Sequence, residues 1–484
     1  MVEKIKIHKG LDIPLGGAAE FRVTDRRDIA LYGIMPDDFV GFTPRLEVHE
    51  GDHVMCGQPL MSDKNNPRIR LTSPVCGTVK EVRRGERRAI IAVVVEKDEV
   101  QQPWKCDTES LKTREGLIEA MTDCGLWAMM RQRPFGSIAN PDDKPRDIFI
   151  SLFDTAPLAA CPERAINVSC LNGANKGQWL EAGLNALSKL TDGKVHVCFS
   201  CQQSAVSGQL ADNIIFHEVS GPHPAGNIGT QIAAIAPINK GEKVWTMNRQ
   251  DVAILGRLAS TGEYRPERWV AVTGPAAAHP QYYHITAGAS LNELLKGQIS
   301  SEVYPRLEVR SQQAAVSRQR AAGSGTRVIS GNVLSGRAVG VDGFVGAYDS
   351  QVTLIEEGDC YDFMGWLMPG LRKHSFSRTF LSGMLPFKIQ NSKFTVQNWH
   401  FNTNLHGGER PLVFSGDFER VFPFDIYPTQ LIKAAIVGDI DLMEQLGIYE
   451  VEPEDFALCE YIDPSKTDIQ SIIREALEKC RKDS

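Results

Sequence analysis

The sequence predicts a multidomain protein of the α+β class, and three observations carry that prediction. A chain of 484 residues is long enough for roughly three or four domains. Apolar residues make up 42% and charged residues 23%, which is typical of a folded protein. Short strand patterns fill the first hundred residues, strands and helices alternate in the middle, and helical patterns dominate the tail.

Residues 1–98 are predicted to form a small β module, because their short apolar segments are separated by Gly and Pro. The run Glu50-Gly-Asp-His-Val-Met-Cys-Gly-Gln-Pro-Leu, followed by Ser73-Pro-Val-Cys-Gly-Thr-Val, resembles the biotinyl/lipoyl carrier domain, a flattened barrel of two sheets. Carriers are modified on a hairpin lysine, and Lys64 lies nearest that place. The gap from Lys64 to Ser73 is longer than is usual in carriers. We therefore interpret the module as a docking unit and expect no lipoate.

Residues 99–255 are predicted to form a Rossmann-like α/β domain. Helical spacing covers residues 113–130 and 175–190, and strand patterns cover residues 147–154, 194–199 and 213–216. Strands that alternate with helices indicate a parallel sheet. Cys198 and Cys201 have the Cys-x-x-Cys spacing of a redox pair or of half a metal site. No second pair follows at metal-binding spacing, so we interpret the two cysteines as incidental and predict no metal site.

A glycine-rich stretch, residues 219–238, follows the last of these strands and precedes a helical pattern. Strand, glycine-rich turn and helix form the layout of a nucleotide-binding unit. The glycines do not form Gly-x-Gly-x-x-Gly, however, and Pro222 and Pro224 remove two amide donors. The sequence thus predicts a degenerate nucleotide loop and leaves open whether it binds a ligand; its marked residues are Gly221, His223, Gly226 and Gly229.

The rest of the chain divides into three predicted parts. Residues 256–330 are predicted to form a β-grasp (ubiquitin-like) domain whose helix begins at Ser290, with Glu293 as its capping-box partner. Residues 331–425 form a β-rich connecting region. Residues 426–484 form a C-terminal helical domain, with Pro428 in the first turn of a helix.

Composition excludes some functions. The net charge of −7 argues against nonspecific binding of nucleic acid, which requires basic patches. There is no window of about 18 apolar residues to span a membrane. The first fifteen residues lack the apolar core of a secretory signal. An odd count of 11 cysteines without framework spacing indicates a reducing cytoplasm.

Two loops are candidate ligand or partner surfaces. Residues 30–44 are apolar and aromatic, and residues 131–137 place two cations and a phenylalanine after a predicted helix end. The alternative for both loops is that the aromatic side chains fill the protein's own core. The candidate residues are Tyr32, Met35, Phe39, Phe42, Arg131, Arg133 and Phe135. A third feature is the arginine-rich hairpin at residues 83–88, either a solvated turn or a surface for an acidic partner or lipid headgroups.

Several motifs together resemble one family along the whole chain. They are Lys9-Gly-Leu-Asp-Ile-Pro, Ser220-Gly-Pro-His-Pro-Ala-Gly, Val333-Leu-Ser-Gly, Arg378-Thr-Phe-Leu-Ser and Glu419-Arg-Val-Phe-Pro-Phe-Asp-Ile-Tyr-Pro-Thr. The chain thereby resembles the NqrA family of the bacterial sodium-translocating NADH:quinone oxidoreductase. The resemblance implies a peripheral protein on the cytoplasmic side of the inner membrane, partnered by the membrane-embedded B subunit and linked to quinone. The isolated chain is expected to be inactive.

Related NADH-binding subunits of complex I and Rnf carry flavin and iron–sulfur clusters, and the residues can be checked for both. In the corresponding tail only Cys459 remains, and a single thiolate cannot hold a cluster. We therefore expect no tightly bound flavin or iron–sulfur cluster. The chain also departs from the family at Gln231-Ile-Ala-Ala-Ile, where a histidine-bearing run is typical. The alternatives are an NADH-oxidising flavin or iron–sulfur protein and a purely structural docking protein.

Overall fold

The structure is a computed structural model that describes residues 2–161, 176–200, 209–299, 325–358, 367–370, 373–374, 376, 380 and 401–483. Cys201 and, apart from Phe380, the motif that begins at Arg378 lie outside the described residues. The strands are, in chain order, Glu3–Lys6 (β1), Glu20–Asp25 (β2), Leu31–Ile34 (β3), Pro44–Leu46 (β4), His53–Val54 (β5), Pro59–Asp63 (β6), Arg70–Thr72 (β7), Gly77–Arg84 (β8), Ile90–Lys97 (β9), Trp104–Lys105 (β10), Arg131–Arg133 (β11), Ser137–Ile138 (β12), Asp147–Ser151 (β13), Val195–Phe199 (β14), Ile214–Ser220 (β15), Val244–Thr246 (β16), Glu263–Tyr264 (β17), Glu267–Thr273 (β18), Gln281–Thr286 (β19), Thr326–Ser330 (β20), Arg337–Val339 (β21) and Gln351–Glu356 (β22).

The helices concentrate in the middle and at the end of the chain. The α-helices are Arg114–Asp123 (α1), Lys176–Leu187 (α2), Ile228–Ile235 (α3), Arg249–Thr261 (α4), Leu291–Leu294 (α5), Phe418–Val421 (α6), Pro428–Val437 (α7), Ile440–Gln445 (α8), Ala457–Ile462 (α9) and Ile469–Asp483 (α10). Short 3-10 helices cover Pro36–Asp38, Glu86–Arg88, Ser110–Lys112, Leu126–Met129, Ile448–Glu450 and Pro453–Phe456.

The middle of the chain forms a seven-stranded sheet with the order β1-β15-β14-β13-β16-β11-β12. The pairs from β1 to β16 are parallel, while β11 and β12 add an antiparallel edge. Helices α2 and α4 pack on this sheet and share one core with α1. Helix α1 ends earlier than predicted, since Gly125 takes a left-handed φ of 82° long before Pro134 is reached.

The first module contains a four-stranded sheet (β3-β9-β8-β5) and a three-stranded sheet (β4-β6-β7), as a flattened two-sheet barrel requires. Lys64 is exposed just after β6, and its N–H donates to the carbonyl oxygen of Thr43 at 2.9 Å. Residues 3–25, which the sequence prediction included in this module, instead supply β1 to the seven-stranded sheet and β2 to a six-stranded sheet.

The six-stranded sheet has the order β2-β19-β18-β22-β20-β21 and packs with the first module around a common core. Its last three strands fall across the predicted boundary near residue 330, so the connecting region shares this sheet. Ser290 is the N-cap residue of α5, but its side chain makes no capping bond. The predicted capping box is therefore wrong: the Glu293 carboxylate instead accepts the N–H groups of Ala30 and Leu31 at 3.0 and 3.2 Å.

Helices α6 to α10 enclose a separate core at the C-terminal end, which contains Phe422, Phe424 and Phe456. Pro428 occupies the first turn of α7 and Gly438 closes it in a left-handed conformation, as the sequence indicates. Among the described helices, none is both long and apolar enough to cross a membrane.

Helices α2 and α4 cross at a backbone contact that only glycine permits. A Cβ atom on Gly256 would lie 1.6 Å from the carbonyl oxygen of Trp179. We expect Gly256→Ala to push the helices apart and lower the free energy of unfolding by about 2 kcal/mol or more. Urea denaturation checks this against Gly16→Ala, where no atom lies within 4 Å of the added methyl group. Equal stability of the two variants would contradict the close crossing.

Candidate functional site

A cavity of about 430 Å³ lies beyond the carboxyl ends of the parallel strands in the seven-stranded sheet. Strand β13 has β14 on one side and β16 on the other, so the chain order reverses at β13. Ligands of open α/β sheets bind at such a switch point. The cavity is lined there by residues 151–154, which end and follow β13, and by residues 246–250, which end and follow β16.

The first candidate loop reaches this cavity, but not through the predicted side chains. Tyr32, Met35 and Phe39 are only 0%, 7% and 4% exposed, and Phe42 is half-buried. These side chains fill cores around the first module, as the alternative interpretation of this loop expected. From the same loop, Asp38 and Val40 line the cavity.

The carboxylate of Asp38 is hydrogen-bonded to two donors at the cavity wall. Its carboxylate accepts hydrogen bonds from Arg337 Nη2 at 2.7 Å and from the Ala347 N–H at 2.8 Å. Burial raises the pKa of Asp38 to about 6, and the Arg337 charge opposes that rise. Phe39 does not line the cavity but packs against Tyr348, which does. The two rings are in an edge-to-face arrangement with their centroids 5.5 Å apart.

The second candidate loop is a strand rather than a helix end. Residues Arg131–Arg133 form β11, which corrects the predicted position of the two arginines at a helix terminus. The Arg131 guanidinium lies 5.0 Å above the Tyr348 ring and lines the cavity together with Gly136. Phe135 packs edge-on against Tyr449 at 5.9 Å in the C-terminal core, as the alternative interpretation expected.

Arg133 is buried, with 2% of its side chain exposed, and holds three carboxylates. Its guanidinium lies 3.3 Å from Glu452, 2.8 Å from Glu454 and 3.0 Å from Asp455. Burial raises the pKa of Glu454, but the charges of Arg131 and Arg133 outweigh burial and hold that pKa below its usual range. Arg133 therefore does not face solvent, and its ion pairs with Glu452 and Glu454 fix one wall of the cavity.

The glycines of the degenerate nucleotide loop serve contacts within the chain. A Cβ atom on Gly221 would lie 2.3 Å from the Ile7 carbonyl oxygen, and one on Gly226 would lie 2.5 Å from the Thr155 nitrogen. A Cβ atom on Gly229 would lie 2.4 Å from Asp455 Oδ1 and 2.5 Å from Arg133 Nη1. The absence of side chains at these glycines lets neighbouring strands and the buried ion pair lie close to the loop backbone. In a phosphate-binding loop the corresponding space is occupied by a phosphate.

His223 is buried in this loop and lines the cavity. The Gly226 N–H donates to Thr155 Oγ1 at 2.8 Å, and Thr155 Oγ1 lies 3.2 Å from His223 Nδ1. Either Thr155 Oγ1 or His223 Nδ1 is the donor in this contact, depending on the tautomer of the ring. Burial lowers the pKa of His223, so the ring is a neutral donor near pH 7.

Gln231, at the position where the sequence departs from the family pattern, is fully buried in α3. Its Nε2 donates to Ser151 Oγ at 2.9 Å and to the Ala225 carbonyl oxygen at 3.1 Å. The amide therefore bridges the carboxyl end of β13 and the glycine-rich loop. It acts on the shape of the cavity wall, since Ser151 lines the cavity.

Sequence reasoning missed several cavity-lining residues with ionisable or aromatic side chains. Some of them follow the ends of β13 and β16. A predicted strand order would have identified these residues, because ligands of open α/β sheets bind where the order reverses. Others come from distant segments that carry no local signal. The missed residues include Asp154, Arg249, Arg268, Tyr348, Asp349, Glu454 and Arg474.

Some of the missed residues have polar partners within the protein. Arg268 pairs with the buried Asp251, and Ser330 Oγ donates to Asp349 at 2.5 Å. Burial lowers the pKa of Arg249 to about 10. The cavity lining is mostly polar and charged, and Leu152, Phe153 and Met247 are among its apolar residues.

Family models match most of the described chain. The NqrA N-terminal barrel-sandwich hybrid domain matches residues 5–98, the NqrA second alpha/beta domain matches residues 112–264, and the NQRA C-terminal domain matches residues 269–307. The description of the first of these fits the two sheets of the N-terminal module. The coarser prediction of a mixed α+β protein with several sheets is confirmed.

Full-length relatives share one name, which is that of the A subunit of the Na(+)-translocating NADH-quinone reductase. The protein of Yersinia pestis is 35% identical over 484 residues, covering 99% of this chain and 100% of the relative. That of Hahella chejuensis is 36% identical over 486 residues, with the same coverage. That of Rhodopirellula baltica is 36% identical over 480 residues, covering 98% of this chain and 97% of the relative. A solved NAD+-reducing [NiFe]-hydrogenase in the H2-reduced state covers 52% of this chain and 49% of its own, at 12% identity and a TM-score of 0.33, too low to inform the fold.

The carboxylates around Arg133 provide a test of the cavity wall. We expect Arg133→Met to lower the free energy of unfolding by about 3 kcal/mol or more, because it leaves buried carboxylates without their cation. The effect should be largest at neutral pH. The lowered pKa of Glu454 contributes stability above the usual glutamate range, and this contribution is lost as pH falls through the lowered value.

The control is Arg68→Met, which removes an exposed ion pair with Asp142 and should change stability by less than about 1 kcal/mol. Chemical denaturation at neutral and acid pH gives both quantities. If the two variants were equally stable at neutral pH, Arg133 would not hold the wall.

Proposed function

The chain belongs to the NqrA family, whose members are named for the Na(+)-translocating NADH-quinone reductase, and from this premise we propose that it contributes to quinone binding in that complex. The reaction of the whole complex is an NADH-dependent reduction of quinone coupled to sodium export. In this proposal the protein shapes a site for quinone, carries no flavin or iron–sulfur cluster of its own, and is inactive when isolated.

One observation supports the quinone site above others: both candidate loops meet at a single cavity. Asp38 and Val40 come from the first loop, and Arg131 and Gly136 come from the second. A quinone has a polar head and an apolar tail, so its site needs apolar walls with a few placed donors. The cavity's volume of about 430 Å³ suits the head group and not a long tail.

The donors in this cavity suit carbonyl oxygens. Arg131 is fixed by its contact with Tyr348, and the buried His223 ring lines the cavity with its Nδ1 beside Thr155 Oγ1. Leu152, Phe153 and Met247 supply the apolar part of the lining. In the proposed site the donors bind the quinone oxygens and the apolar side chains contact the ring.

The proposal of a protein without redox cofactors rests on two features of the chain. Cys459 is fully buried in α9, and burial raises the pKa of its thiol, which opposes the thiolate form that a cluster requires. The glycine-rich loop is filled by the chain's own backbone and by the Arg133–Asp455 pair. These features favour the quinone role over the NADH-oxidising alternative.

The proposed location is the cytoplasmic side of the bacterial inner membrane, where protein contacts hold the chain. Its proposed principal partner is the membrane-embedded B subunit, which would complete the quinone site. The cavity accommodates a head group, and the tail would then extend toward that neighbour.

Ser335 is exposed and lines the cavity, so it offers a way to obstruct the proposed site. In the assembled complex we expect Ser335→Trp to raise the apparent KM for quinone about tenfold, equivalent to about 1.4 kcal/mol of lost binding. NADH oxidation with an artificial electron acceptor should be unchanged. Steady-state kinetics with both acceptors measures the two effects.

Ser415→Trp is the matched control, because Ser415 is exposed and does not line the cavity. It should leave quinone kinetics unaltered. Normal quinone kinetics in Ser335→Trp, together with normal assembly, would remove the cavity from the quinone site and favour the structural docking role.

The cofactor proposal has a direct measurement. The full chain, purified alone, should be colourless, because within the described residues α9 offers one buried thiol and the glycine-rich loop is closed to a phosphate by the chain's own atoms. Visible absorption spectra and iron analysis test this. A stoichiometric flavin or iron signal would contradict the proposal and support the NADH-oxidising alternative.

A further inference from the structure

The hairpin that joins β8 to β9 presents a basic turn, residues 84–91, at the surface of the first module. Arg84, Arg87 and Arg88 are exposed there, together with Glu86. Arg83, one residue earlier, differs from them. Its guanidinium contacts Glu81 at 3.1 Å, donates to the Asp342 carbonyl oxygen at 2.7 Å and lies 5.1 Å above the Phe344 ring.

The three exposed arginines lack acidic partners. None of them forms an ion pair with any residue in the part of the chain that the structure describes; the Arg84 guanidinium only donates to the Arg88 carbonyl oxygen at 3.2 Å. The chain as a whole carries a net charge of −7. An unpaired cluster of cations on an acidic protein creates a local field that orients the protein toward an anionic surface.

The backbone of this turn is unfavourable for the residues it carries. Arg87 and Arg88 have φ angles of 53° and 63°, in the left-handed region that favours glycine. Side chains that persist in such conformations often mark functional sites. Here the two conformations direct adjacent arginines outward from one tight turn.

An apolar side chain lies beside these cations. Ile91 is 46% exposed, and its Cδ1 lies 3.0 Å from the position of a Cβ atom on Gly85, directly across the turn. A large aliphatic side chain next to unpaired guanidinium groups matches the boundary between lipid headgroups and acyl chains.

We propose that the basic turn binds anionic lipid headgroups, with the guanidiniums of Arg84, Arg87 and Arg88 on phosphates and Ile91 at the acyl boundary. Guanidinium groups bind phosphate oxygens in a bidentate manner. A lipid surface fits better than an acidic protein because Ile91 offers an apolar contact and because a sodium-translocating complex necessarily lies at a membrane. The proposal draws on family membership and does not depend on the quinone site.

Each arginine should contribute about fivefold to the membrane partition coefficient, so removal of all three should lower it on the order of 100-fold. The interaction should weaken as ionic strength rises, because the arginines are exposed. Loss of Ile91 should reduce the remaining binding without changing its salt dependence.

The experiment is flotation of the full chain with vesicles of phosphatidylcholine, with and without phosphatidylglycerol. The protein should bind only the vesicles that contain phosphatidylglycerol, and added salt should release it. The variant Arg84→Gln/Arg87→Gln/Arg88→Gln should lose this binding, while Ile91→Ser should weaken it. The control, Arg22→Gln/Arg45→Gln/Arg410→Gln, removes three exposed arginines elsewhere and should retain most of the binding.

Thermal unfolding of each variant verifies that the fold is intact, and the salt dependence of the unmodified chain tests the idea without any substitution. Equal binding to both kinds of vesicle, or undiminished binding by the triple variant, would overturn the proposal. Absence of vesicle binding combined with failure of the triple variant to assemble into the complex would also overturn it, in favour of an acidic protein partner. Because the flotation experiment contains no quinone, failure here leaves the quinone proposal standing.

Discussion

The ion pairs of Arg133 connect parts of the chain that are more than three hundred residues apart. Arg133 lies at the antiparallel edge of the seven-stranded sheet, and its carboxylate partners lie at and beside the 3-10 helix Pro453–Phe456. A guanidinium and three carboxylates cannot be buried separately without a large desolvation cost. The ion pairs therefore favour this arrangement of the sheet against the C-terminal helices, which also places Glu452 and Glu454 in the cavity wall.

The glycine-rich loop has the strand–turn–helix layout of a nucleotide-binding unit, but its glycines make room for atoms of the chain itself. Gly229 leaves room for Arg133 and Asp455 at the start of α3, where a nucleotide-binding protein would leave room for a phosphate. An internal carboxylate thus occupies the region near a helix N-terminus that an external anion would take. His223 and Gln231 also make contacts within the chain, because both are buried and both are hydrogen-bonded to groups beside the end of β13.

Local patterns predicted most elements of this fold and few residues of its site. Helix α7 was predictable from Pro428 and apolar spacing, and the strands β13 to β15 from short apolar runs. The burial of Arg133 was not predictable in the same way, because its carboxylate partners come from a segment more than three hundred residues away. The N-terminal strands show the same limit: β1 finds its partner more than two hundred residues away.

The cavity itself follows from these long-range contacts. Its walls come from the first module, the seven-stranded sheet, the six-stranded sheet and the C-terminal helices, through Asp38, Arg131, Tyr348 and Arg474 respectively. No one of these parts contains the site, so a relative motion of any one would change its shape. A ligand bound at such a junction stabilises the arrangement in which all four parts meet. Binding can therefore change the surface that any of these parts presents to a partner protein.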